Sequence, residues 1–201
     1  MSEAMTDPNT ATVPSTEHRS RRSANITLLV LAAIGAAVSV SLGVYGREHT
    51  PSGGPIFDLG FPSMRAMKSW LASASMALVL VQVFSAMAMY GRIPRLKTTP
   101  KWVPFAHRWS GTTAFVVSLP VAYHCLWSLG FHTANARPLL HGLFGLTFYG
   151  AITTKLLALR SNRMPKWAIP VLGSTVALTL TGVWLTSALW FFTNVSFPAL
   201  P

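Results

Sequence analysis

Apolar residues dominate five stretches of the chain, roughly Ile26–Tyr45, Trp70–Tyr90, Trp109–Leu129, Leu139–Leu159 and Trp167–Phe192. Polar, Pro-containing breaks separate them. Each stretch reaches the approximately 20 residues that an α-helix needs to cross about 30 Å of hydrocarbon. Inside a bilayer no water satisfies backbone N–H and C=O groups, so spans of this kind are helical. The pattern therefore predicts an all-α fold, a polytopic membrane bundle of five transmembrane helices. Residues 1–24 are polar and rich in Ser and Thr, with a basic cluster at Arg19–Arg22. They cannot bury enough apolar surface to offset the entropy of ordering, and read as a disordered cytoplasmic tail. The first apolar stretch exceeds the core of a secretion signal, and VYGREHT after it has no clean cleavage site, so it reads as a retained span. The transmembrane domain is then 25–201. Its longest outer piece is loop 46–69, whose Pro and Gly residues predict an irregular cap over the bundle.

Charge orients these spans. Twelve cations fall on one side (Arg19, Arg21, Arg22; Arg92, Arg95, Lys97, Lys101, Arg108; Lys155, Arg160, Arg163, Lys166), against four on the other (Arg47, Arg65, Lys68, Arg137). The positive-inside rule then places the N-terminus inside and Gly53 and Pro201 outside, as a multi-pass protein of the cell membrane. The net charge of +11 is thus topology and not a nucleic-acid footprint. Trp70, Trp127 and Trp190 mark one interface, and Trp102, Trp109 and Trp167 the other. The basic rim also suits anionic lipid headgroups.

Composition narrows the chemistry. The five carboxylates are Glu3, Asp7, Glu17, Glu48 and Asp58, with none beyond Asp58. The later helices therefore hold no carboxylate acid–base pair, Ser-His-Asp triad or carboxylate proton wire. Cys125 is the only cysteine, which excludes an intrachain disulfide and any Cys-based zinc or iron–sulfur site. No Gly-rich nucleotide fingerprint or P-loop is present.

Histidine is left as the chemistry-bearing residue. His18 lies in the tail, and His49 and His132 lie in outer loops where solvation is expected. His124 sits in FVVSLPVAYHCLW just inside Trp127, and His141 opens the next antiparallel helix from the same side. Two imidazoles at similar depth on neighbouring helices suit the opposite axial faces of one haem iron, a ligation that needs no carboxylate. Gly145, with Gly142 and Gly150, strips side chains from the His141 helix, room for a flat macrocycle or for close helix packing. Arg65, Lys68 and Arg137 are cations on the same outer side, matched to haem propionates. His107 opens HRWSGTTAF at the other face with no histidine opposite it, and reads as an interfacial anchor.

His107-Arg108-x-x-Gly111, followed by an apolar helix with a second His, is similar to helix openings of cytochrome b561-like and ferric-reductase-like membrane domains. AHRWSGTTAFVVSLPVAYHCLW, HGLFGLTFYGAITTKLLALR and WLTSALWFF more closely resemble a family of uncharacterised actinobacterial integral membrane proteins, over about residues 100–192. The broader resemblance implies transmembrane electron transfer through haem b, with two ligands from each of two helices. Only His141 stands on the second helix here, so the resemblance implies a single haem near the outer face.

Two functions follow. One is a single-haem b electron-transfer protein or oxidoreductase membrane subunit, supplied by a quinol or a partner redox protein. The other is a haem-free assembly factor or structural subunit of a larger membrane complex, packing through the small-residue run AAIGAAVSVSLG.

Overall fold

A computed structural model describes residues 16–94, 96 and 98–194. The tail segment 1–15, Arg95, Lys97 and the C-terminal stretch including Pro201 lie outside the described residues. The fold is all-α. Helix α1 spans Thr16–Glu48, α2 Met64–Met89, α3 Val103–Tyr123, α4 Ala136–Arg160 and α5 Ala168–Trp184. Helix α3 runs on into a π-helical turn, His124–Leu129, and α5 into another, Leu185–Leu189, followed by a short α6, Trp190–Asn194. Five helical spans are long and apolar enough to cross a membrane, the build of a multi-pass membrane protein. Two predicted boundaries shift. Residues Thr16–Ala24, expected in the tail, already belong to α1, and the cap narrows to 49–63 because α1 ends at Glu48 and α2 starts at Met64.

Local signals explain the helix ends. The Ser63 hydroxyl accepts a hydrogen bond from Ala66 N at 3.2 Å and caps α2. Pro104 stands in the first turn of α3, where its missing N–H costs nothing. Gly130, at φ 71°, ends the α3 π turn in a conformation that side-chain-bearing residues rarely adopt.

Helix α2 packs along α3, α4 along α5, and α1 along α4. Val79, Phe148, Leu180 and Val183 form the buried apolar core between α2, α4 and α5. Between helices, hydroxyls replace the hydrophobic drive that lipid does not supply. Ser75 donates to Ala114 O at 3.2 Å, and Trp184 Nε1 donates to Ser73 Oγ at 2.9 Å. The small-residue run of α1 is spent on α4: Ser39 Oγ donates to Leu146 O at 2.8 Å, and Thr154 Oγ1 donates to Leu31 O at 3.3 Å. Leu29, Val40 and Val44 on the far side of α1 are exposed, as lipid-facing residues are. Helices α3 and α4 follow each other in the chain yet make no extended contact along their lengths.

Candidate functional site

The space between α3 and α4 is a cavity of about 500 Å³, walled also by α2 and α5, with the loop residues Gly130, Phe131 and His132 in its lining. His141, Gly145, Arg65, Lys68 and Arg137 all line it, five of the six residues expected at a cofactor site. Gly145 has nothing within 4 Å of the place a Cβ would occupy, so its flank faces open space. The three glycines of this helix serve three purposes. Gly142 lies under the Phe131 ring, Gly145 faces the cavity, and Gly150 lets α1 approach.

Arg65 and Lys68 stand one turn apart at the start of α2, and Arg137 stands at the start of α4. None of the three makes an ion pair among the described residues. Arg137 is fixed in place: Nη1 donates to Thr186 O at 3.1 Å, and the guanidinium lies 3.9 Å from the Trp190 ring centroid. Toward the other end, Tyr149 and Ser118 line the cavity and tie α4 to α3, with the Tyr149 hydroxyl 3.0 Å from Ser118 Oγ and donating to Ser118 O at 3.1 Å.

The two predicted axial histidines are not brought to one wall. His141 faces the cavity. Its Nδ1 lies 3.3 Å from Thr186 Oγ1, whose own proton goes to Gly182 O at 2.7 Å. Thr186 therefore accepts from Nδ1–H, and His141 presents a lone pair at Nε2. The group facing that lone pair is Cys125, with Sγ at 3.8 Å. His124 lies outside the cavity lining. It is fully buried, its Nδ1 donates to Pro120 O at 2.8 Å, and Nε2 has no hydrogen-bond partner among the described residues. The Phe57 ring of the cap stands edge-on against it at 4.5 Å. Of the two neighbours in the π turn, Cys125 lines the cavity and His124 does not.

The remaining histidines divide differently from expectation. His132 is exposed at the cavity rim. His49, expected in solvent, is half-buried between Tyr45 and Trp127, with ring centroids 5.0 and 4.4 Å away. His107 lies in the α2–α3 seam, its Nδ1 2.8 Å from Ser85 Oγ, while Gln82 donates to the His107 carbonyl. Sequence reasoning missed Cys125, Thr186 and the Tyr149–Ser118 pair. Cys125, Ser118 and Tyr149 lie close in the chain to candidate residues, whereas Thr186 carried no signal at all.

The donor set fits haem in part. Cavity size, the bare flank of Gly145, one lone-pair imidazole and three cations without an ion pair among the described residues suit a macrocycle with anionic propionates, whereas a bis-histidine axial pair is not assembled. No group of three or more His, Cys, Asp or Glu able to hold a metal ion occurs among the described residues.

Comparison with known proteins adds the family. No curated protein and no solved structure matches the chain. Residues 28–199, most of the sequence and all five spans but the first turns of α1, match a single family description. The chain belongs to DUF6529, a family of unknown function.

Proposed function

We propose that this multi-pass membrane protein is a haem b protein, an electron-transfer protein or the membrane subunit of an oxidoreductase, whose cofactor sits in the cavity between α2, α3, α4 and α5. One observation carries the reading: His141, Gly145, Arg65, Lys68 and Arg137, from the two helices α2 and α4, line the same cavity. Its volume falls in the range of cofactor sites, and its apolar walls with cations at one end match an apolar ring bearing carboxylates. Haem b supplies one-electron chemistry at its iron when bound. The chain contributes the His141 imidazole, a dry chamber and the field of Arg65, Lys68 and Arg137. The charge bias of the loops puts this end of the bundle on the outer side, with electrons arriving from a quinol or a partner redox protein. The rival structural-subunit reading loses its main support, since the small-residue face of α1 is already occupied by α4.

The test is the colour of the protein purified after expression with haem supplied. A reduced-minus-oxidised spectrum with b-type bands supports the reading, and colourless protein overturns it in favour of a haem-free structural subunit.

A further inference from the structure

We infer that the second axial ligand in this cavity is Cys125, so that a haem iron is held by His141 Nε2 on one face and Cys125 Sγ on the other. The inference rests on the haem reading of the cavity and replaces His124 in it. Both side chains line the cavity, one from α4 and one from the π turn that ends α3. They stand opposite each other across the gap that keeps these two helices apart, with Sγ and Nε2 at 3.8 Å. An imidazole nitrogen and a thiolate sulfur on opposite faces of one metal ion stand about 4.3 Å apart, given bonds of about 2.0 and 2.3 Å. The gap is therefore short of an axial pair by about half an ångström. Supplying it breaks the Cys125–His141 hydrogen bond but no packed helix seam, because α3 and α4 make no extended contact.

Orientation supports the same pair. Thr186 accepts from Nδ1–H of His141, the outer hydrogen bond that metal-bound histidines use to fix tautomer and ring direction. His124 makes an outer hydrogen bond of the same kind, to Pro120 O, but it lies off the cavity wall with the Phe57 ring against it. The coordination step balances simply. The Cys125 S–H proton leaves to water, the sulfur lone pair forms the bond to ferric iron, and no oxidation state changes. Lys68, on the same cavity, favours the anionic sulfur electrostatically.

The test uses full-length protein expressed with haem supplied, read by ferric electron paramagnetic resonance and near-infrared magnetic circular dichroism. Wild-type protein is expected to show a low-spin iron with thiolate and imidazole ligands. Cys125→Ala should keep haem but lose the thiolate signature, His141→Ala should lose haem, and His124→Ala should leave the spectrum unchanged. A bis-imidazole signature in wild-type protein, measured without any variant, overturns Cys125 while the haem reading stands. So does an unchanged Cys125→Ala spectrum. Colourless wild-type protein overturns the haem reading itself, and the axial assignment with it.

Discussion

Gly35 of α1 and Gly150 of α4 face each other across their helix crossing so closely that a Cβ on Gly150 would lie 2.6 Å from the Gly35 carbonyl oxygen. Ser39 Oγ stands in the way as well, and even if that side chain turned aside the Gly35 backbone could not yield. Gly150→Leu is therefore expected to lift α1 from α4 and to destabilise the protein by about 1–3 kcal/mol, the usual cost of overpacking. Gly145→Ala, five residues earlier on a flank with open space, should leave stability unchanged and weaken cofactor binding. Thermal midpoints in detergent for both variants check the contrast.

The Ser39 hydroxyl bridges the same seam to Leu146 O. Ser39→Ala should cost roughly 0.6 kcal/mol, the average measured for interhelical hydrogen bonds in membranes. Reversible unfolding in mixed micelles would read it. A cost several times larger would mean that the hydroxyl organises more than its own bond.

Thr186→Val removes the acceptor that orients His141 while keeping the shape of the side chain. Under the haem reading, affinity should fall by about tenfold, the lower end for lost partners of metal-binding histidines. Haem titration of the purified variant, with its thermal midpoint as the folding control, checks this. Unaltered affinity would show that Thr186 does not set the imidazole.

Arg65→Gln, Lys68→Gln and Arg137→Gln should each lower the haem midpoint potential modestly without loss of cofactor. Removing a cation near the iron favours the more positive ferric state, which lowers the potential. A propionate freed to take up a proton opposes this, but near a wet cavity mouth the proton compensates only in part. Spectroelectrochemistry gives the sign, and an upward shift would mean that propionate protonation dominates. Arg137 also stacks on Trp190, so its variant should lose some stability too.

The loop charges predict orientation. Single cysteines placed within 50–55, in a Cys125→Ala background, should react with an impermeant maleimide from outside intact cells. Cysteines within 96–100 or 161–164 should react only after permeabilisation. Labelling in the opposite pattern would invert the bundle and move the cavity mouth to the cytoplasmic side.

The five spans were legible because length and apolarity decide them before any side-chain detail does. The cation cluster was legible as well: Arg65, Lys68 and Arg137 fall in the first turns of helices entering from one side, so topology alone brings them together. Rotation about the helix axis was not. The phase of α3 changes in the π turn His124–Leu129, which no periodicity in HCLWSL announces. That turn decides whether His124 or its neighbour faces His141. Cys125 consequently looked informative only for what it excluded. The α1 small-residue run was read correctly as a packing face, but its partner lies within the chain, and the sequence carries no sign of which helix answers it.

The seam between α1 and α4 also bears on biosynthesis. The residues joined by the Ser39–Leu146 and Leu31–Thr154 hydrogen bonds are 107 and 123 positions apart. Helix α1 leaves the ribosome first, yet its docking surface is made only after α2 and α3 have been threaded. It must therefore wait in the lipid as an independent span, and its mean hydropathy of 2.3, the highest of the five, suits it to waiting. A chain arrested before α4 would leave the Gly35 and Ser39 groove uncovered, the moment at which membrane chaperones or proteases would find it.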